Sequence, residues 1–206
     1  MDISNSSNFN TIKNSINSFD IQTTKGNLHV FEVTKNTKNY DKFVKQADLF
    51  AYKNIETTTK KNFISKLKNC IKILKSPSKP LAEDTTILVA KNDRGKICAS
   101  LFANPNDVSK KVLDVSNVAV DKNYRHNNVF QKMYNSLESS VKKAGKFDVI
   151  SLDAVNSAVP VYKKMGFKET TNALANSTTH TPMKKYLKDC VESITSVSKD
   201  LLKKIK

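Results

Sequence analysis

Residues 124–139 read YRHNNVFQKMYNSLES and directly follow the apolar run VLDVSNVAV. The pattern is a strand that runs into a turn and then a helix. Such a layout suits an anion, because unpaired backbone N–H groups point out of the turn and the positive end of the helix dipole lies behind them. Phosphate is the natural occupant. Turns of this kind are normally rich in glycine, and this one has none. Asparagine is the non-glycine residue that adopts positive φ most readily, so a bend containing it can still form. Metal chemistry has no comparable signature. The three cysteines, Cys70, Cys98 and Cys190, are far apart, with no CxxC and no histidine-rich partner. That pattern argues against a zinc site and against a disulfide framework. They read as reduced, buried thiols.

Composition narrows the remaining classes. The chain has 206 residues, 38% of them apolar and 26% charged, a globular profile with room for one sizeable domain and tails. No run approaches ~18 consecutive apolar residues, so no membrane span is expected. The opening MDISNSSNFNTIKN lacks the apolar centre of a signal peptide, and a cytoplasmic location is the default. A formal charge of +16 invites a nucleic-acid partner, yet only Arg94 and Arg125 are arginines and the rest is lysine. No arginine stripe is interleaved with aromatics on which bases would stack. A dedicated nucleic-acid role is disfavoured, while a salt-sensitive attraction to acidic ligands remains.

The elements that must hold the turn can be read from periodicity. Residues 1–27 are polar; Phe9, Ile12, Ile16 and Phe19 fall at helical spacing, so this stretch is either a mobile tail or a short docked helix. LHVFEVT (28–34) predicts a first strand. Two amphipathic helices follow, one through Tyr40, Phe43, Val44, Ala47 and Phe50, the other through Phe63, Leu67, Ile71 and Leu74. TTILVA (85–90) and KICASLFA (96–103) flank NDRG, a tight hairpin turn. KVLDVSNVAV (111–120) is a third long strand, and the helix after it closes at Gly145. DVISLDA (148–154) reads as a strand covered on both faces. A short helix (158–165) ends at Gly166, and strands near FKET (167–170) and PMKKYL (182–187) complete the domain. Residues 188–206 continue as an amphipathic helix that could dock on the domain, pair two subunits or lie on an acidic membrane surface. Docking or pairing is favoured, because its Ser, Thr and β-branched residues make it a poor free helix.

Parity within 111–120 carries a further signal. Leu113 and Val115 share one face, whereas Val118 and Val120 have the opposite parity. All four can turn inward only if one extra residue is inserted near Ser116–Asn117, which is the mark of a β-bulge. A bulge there would swing the strand's end away from its parallel neighbour at Leu152 and open a gap beside the turn.

At this point the chain resembles the GNAT superfamily of acetyl-CoA-dependent N-acetyltransferases, over about residues 28–187. VAVDKNYRHNNVFQKMYNSLE (118–138) is similar to the family's strand, Arg-x-x-Gly-x-Gly/Ala turn and following helix. LDAVNSAVPVYKKMGF (152–167) is similar to its closing segment, in which a tyrosine three residues before Met165 lies near the cofactor sulfur. The departure is at the turn, where Asn128 replaces the first glycine and Phe130 the second small residue. The resemblance implies an α+β fold: a mixed, mostly antiparallel sheet with a central, splayed parallel pair, flanked by helices.

It also implies a site. Acetyl-CoA would be the co-substrate, its pyrophosphate held by the backbone amides of His126, Asn127, Asn128, Val129 and Phe130, with Arg125 anchoring the turn and within reach of a phosphate. The pantetheine arm would pair with the backbone of Val118, Ala119 and Val120, with an N–H near Val118 as oxyanion donor. Tyr162 would be the general acid. No base stands out: Asp114, Ser116 and Glu32 are candidates acting through water, and capture of neutral amine needs none. His126 reads as a solvent-facing turn residue. The acceptor is a primary amine on a small molecule or peptide. Two other readings stay open: a silent acyl-CoA-binding sensor, and a transferase acting on the amine of aminoacyl-tRNA. No metal is implied, and a homodimer is compatible with the helical C-terminus.

Overall fold

Among the described residues eight strands form one sheet: β1 (Phe19–Thr23), β2 (Gly26–Val33), β3 (Thr86–Asn92), β4 (Ile97–Pro105), β5 (Val112–Val120), β6 (Val149–Val155), β7 (Lys168–Glu169) and β8 (His180–Tyr186). The computed structural model describes residues 18–54, 72, 85–109, 111–170 and 179–187. The spatial order is β1-β2-β3-β4-β5-β6-β8-β7. Every neighbouring pair is antiparallel except β5–β6, which is parallel. Among the described residues the flanking helices are α1 (Tyr40–Asn54), α2 (Val129–Ala144) and α3 (Val159–Lys164). The fold is α+β.

Two cores cover the two faces. On one, Val129, Met133, Tyr134, Leu137 and Val141 form the buried stripe of α2 and pack with Leu113, Val115, Ile150 and Leu152. Each of these side chains, when fully buried, stabilises the fold by about 1.5–3 kcal/mol. On the other, Val44 and Ala47 of α1 meet Val33, Ile87, Val89 and Phe102. Gly145 closes α2 at φ 64°, with its N–H reaching the carbonyls of Val141 and Lys142 at 3.1 and 3.2 Å. A left-handed end of this kind favours glycine.

The expected bulge is present. Phe102 pairs with Ser116 and Ser100 with Ala119, so two residues of β5, Asn117 and Val118, stand opposite Leu101. Asn117 takes φ 48°. The extra residue restores parity: Leu113, Val115, Val118 and Val120 all pack on the α2 core.

Three readings of the sequence change. No strand was expected before residue 28, yet Phe19–Thr23 pairs with Gly26–Val30, so Phe19 belongs to a strand and not to a helical stripe. The two-residue turn Thr24–Lys25 lets polar residues hydrogen-bond as an edge hairpin, which apolar content does not reveal. β6, expected to be covered on both faces, alternates: Ile150, Leu152 and Ala154 are buried, whereas Ser151 and Asp153 on the other face are not. Chain segments 1–17 and 188–206, and the second amphipathic helix apart from helical Lys72, lie outside the described residues.

The β1–β2 hairpin is clasped to the β3–β4 turn by His29, whose Nδ1 lies 2.7 Å from Asp20 and whose Nε2 lies 3.0 Å from Asp93. Hydrogen bonds to Asp20 and then to Asp93 raise the imidazole pKa above its ordinary 6.5. A raised folded pKa gives stability that is complete below about pH 6.5 and is lost as pH climbs through the folded value. Thermal unfolding from pH 5.5 to 9 should therefore show His29→Gln less stable than the parent at the acid end, with the gap closing at the alkaline end. A gap independent of pH would rule out the clasp.

Candidate active site

Beyond Val120 the chain makes a short 3-10 turn, Lys122–Tyr124, whose start is capped by Asp121 Oδ1 accepting from the Asn123 N–H at 2.9 Å. The backbone is then left-handed at His126 (φ 63°) and Asn128 (φ 55°), with Asn127 between them outside that region. Alternation of hand turns successive N–H groups toward one centre, forming a concavity for an anion. The Asn128 side chain makes no capping bond, so the first-turn amides of α2 are left for another acceptor. The glycine-free bend therefore forms as the asparagine suggested.

Two side chains lock it in place. Arg125 Nε donates to the Val120 carbonyl at 3.2 Å, and its guanidinium also donates to the Asn54 carbonyl, at the end of α1, at 3.1 Å. Both of these contacts are to main-chain acceptors, one on a strand and one on a helix. Asn127 Oδ1 accepts from the Thr24 N–H at 3.0 Å, and its amide donates to the Arg125 carbonyl at 3.0 Å. His126 and Asn128 are exposed, and Val129 is buried.

Phe130 turns its ring inward. It meets the Tyr162 ring at 5.5 Å, edge on, and the Tyr134 ring at 6.0 Å. Tyr162 projects from α3 and also meets Phe167 at 5.7 Å. Gly166, which ends this segment at φ 89°, lets the Lys185 stem pass 3.4 Å from where a Cβ would sit. Burial pushes the Tyr162 phenol up to about 12. Behind it, Glu138 is a buried carboxylate contacted by Lys185 at 2.6 Å and Lys142 at 2.8 Å. Burial works to raise its pKa, and the two lysines outweigh that and hold it below the ordinary value. This pair ties α2 to β8.

β5 and β6 are paired over three positions alone, Val112–Asp114 with Val149–Ser151, and then part. A cavity of about 770 Å³ lies at the parting, with Asp114, Ser116, Asn117, Ser151, Asp153 and Lys184 among its walls. Asp114 accepts from Asn106 Nδ2 at 2.6 Å and from the Ser151 hydroxyl. The bulge is pinned from α1, where Asp48 accepts from Asn117 Nδ2 at 2.9 Å. Burial raises the Asp48 carboxyl and the Asn117 bond opposes it.

By strand alternation Asp114 and Ser116 point away from Leu113 and Val115. The cavity therefore opens on the α1 face, whereas Tyr162, Phe130 and Val118 pack on the α2 face. Asp114 and Ser116 stand in the cavity wall as candidates, whereas Glu32 on β2 is separated from β5 by two strands. Sequence reasoning missed Asn106, Ser151, Asp48, Asp153 and Lys184. The polar interruptions of DVISLDA were the available sign of Ser151 and Asp153.

Comparison with known proteins agrees with this geometry. The acetyltransferase (GNAT) domain family matches residues 51–187, and the chain belongs to that family. No protein of curated function matches the sequence. Among solved structures, Escherichia coli ElaA is similar at 14% identity, covering 77% of this chain and 99% of that one, with TM-score 0.55. An acyl-CoA N-acyltransferase from Pseudomonas aeruginosa gives 15%, 77%, 99% and 0.55, and a GNAT-family acetyltransferase from Staphylococcus aureus 17%, 77%, 99% and 0.52. At such identities these likenesses establish the fold. The protein is an acyl-CoA-dependent N-acyltransferase of a family that takes acetyl-CoA as co-substrate. No helix among the described residues is long and apolar enough to cross a membrane.

The left-handed turn sets a measurable requirement at Asn128. Asn128→Ala should destabilise by about 1–2 kcal/mol, the cost of holding an ordinary residue at this φ, while Asn128→Gly should stay within about 0.5 kcal/mol of the parent. Urea unfolding reads both. An alanine variant as stable as the parent would mean the turn adopts another conformation.

Proposed function

We propose that the protein moves an acetyl group from acetyl-CoA to a primary amine by direct attack on the thioester. The observation that carries this reading is the juxtaposition of an uncapped, left-handed turn with a parallel strand pair that separates after three residues. The amides of His126–Phe130 bind the pyrophosphate. Arg125 braces the turn through the Val120 and Asn54 carbonyls.

The strand edge supplies the next contacts. The Asp121 N–H donates to the Cys98 carbonyl on β4 at 2.8 Å. By alternation the N–H of Ala119 also faces β4, and those of Val118 and Val120 face the opening. The Val120 carbonyl already receives Arg125. The N–H groups of Val118 and Val120 therefore pair with the pantetheine arm, and Val118 stabilises the oxyanion.

The chemistry balances as follows. The amine nitrogen forms a bond to the thioester carbon, the C–S bond breaks, and the departing thiolate takes the phenolic proton of Tyr162. The phenolate then recovers the proton released by the new amide nitrogen through solvent. Against an ordinary thiol near 8.5, a phenol at about 12 gives up its proton uphill by about 3.5 units. Tyr162 therefore acts as a hydrogen-bond donor while charge builds on sulfur, and the proton crosses late. Phe130 and Phe167 fix the ring for that task.

Tyr162→Phe tests the role. It should lower kcat by 10²-fold or more, in the range of a lost general acid, while calorimetry still detects CoA binding. Since the acid works only when protonated, no alkaline loss of kcat from this group should appear below about pH 11. Undiminished turnover in the variant would remove Tyr162 from the mechanism. A thermal-shift series tests the cofactor site separately: acetyl-CoA at ~100 times its Kd should add about 2.7 kcal/mol.

A further inference from the structure

The cavity on the α1 face is electrically polarised along one row of the sheet. Asp114 on β5 pairs in register with Ser151 on β6, Ser151 pairs with Lys184 on β8, and Lys184 pairs with Lys168 on β7. Four residues on neighbouring strands thus share one face, with strands ~4.8 Å apart. The carboxylate stands at the parting of β5 and β6, and the two ammonium groups stand toward the sheet's edge. Asp153, two residues beyond Ser151 on the same face, adds a second carboxylate at the parting.

Among the described residues the charges of Asp114 and Lys184 are uncompensated. Asp114 is held by neutral donors, the Asn106 amide and the Ser151 hydroxyl. Among the described residues neither Asp114 nor Lys184 has an ion-pair partner. Their backbones are about two strand spacings apart, ~10 Å, which leaves room for a short molecule between the side chains. A ligand that completes the row presents a cation to Asp114 and an anion to Lys184.

We propose that the acceptor is a primary amine carrying its own carboxylate a few bonds away, with Asp114 receiving the ammonium and Lys184 the carboxylate. This rests on the reading that amine attack occurs through the β5–β6 opening. Polyamines are the contrasting class, since their second ammonium would face Lys184 and Lys168 on a chain already at +16. The negative end lies beside the thioester position, so the nitrogen is delivered there and attacks once the ammonium has released one proton to solvent. The positive end sets which molecules bind, making Lys184 a specificity-determining residue.

Three amines of equal chain length provide the test: 5-aminopentanoate, pentylamine and 1,5-diaminopentane. CoA release with acetyl-CoA at fixed ionic strength gives kcat/KM for each, and calorimetry on the CoA-loaded protein gives each binding constant. The expected order is 5-aminopentanoate first, at least about tenfold over pentylamine, with the diamine last. Lys184→Gln should bring the aminopentanoate-to-pentylamine ratio toward one, and Lys184→Arg should preserve it. A diamine equal to or better than the amino acid, a ratio unmoved in Lys184→Gln, or no detectable binding of 5-aminopentanoate would overturn the proposal. The acetyltransfer reading fails separately: preferential binding of 5-aminopentanoate without turnover would sink that reading and leave the polarised acceptor site standing.

Discussion

The extra residue at Asn117–Val118 is the constraint on which the site depends. A regular β5 would keep its ladder with β6 to the end of both strands, and no gap would exist. With two residues opposite Leu101, the strand bends and pairing stops at Asp114–Ser151. Holding the bulge open needs partners for its displaced groups. The Ser100 hydroxyl donates to the Asn117 carbonyl at 3.4 Å, and Asp48 takes the Asn117 side-chain amide. Ser100 is a buried polar residue whose hydroxyl satisfies a backbone carbonyl at the bulge, and half-buried Asp48 fixes the Asn117 side chain.

The same departure from regular pairing joins two unlike surfaces. In the proposed reaction the binding groups on the α2 face are main-chain amides beside an aromatic cluster, and those on the α1 face are charged side chains in a cavity. A thioester entering from one side and an amine from the other would then meet at the slit, where positioning favours attack. The Glu138–Lys185 pair helps keep the slit's width, since it fastens the helix carrying the turn to β8, next to β6.

How far the residues disclosed this in advance depended on the kind of signal. Backbone requirements were readable: the parity break between Val115 and Val118 gave the bulge, Asn128 the left-handed turn, and Gly145 the helix end, because each follows from steric rules local to a few residues. Edge strand β1 was hidden, since its cohesion comes from the partner strand and not from apolar alternation. The row Asp114–Ser151–Lys184 was hidden for a different reason. Its members lie 37 and 33 positions apart (151 − 114; 184 − 151), and register is a property of the assembled sheet. Arg125 was expected at the turn, but its acceptor on α1, the Asn54 carbonyl, lies 71 residues away and no local rule points to it.

Loss of both glycines from the turn is therefore less damaging than it first looks. A glycine in such a turn serves two ends, positive φ and clearance for a ligand beside the backbone. Asn128 meets the first at φ 55° with its side chain exposed. Phe130 meets the second by sending its ring toward Tyr162 and Tyr134, away from the amides at the helix start. That inward ring has a further effect: it occupies the volume against which Tyr162 rests, so the bulky substitution at the cradle also immobilises the phenol. A smaller residue at 130 would clear the turn and loosen the tyrosine together. The turn proposed to hold the cofactor and the tyrosine proposed to donate the proton are thus coupled through a single phenyl group.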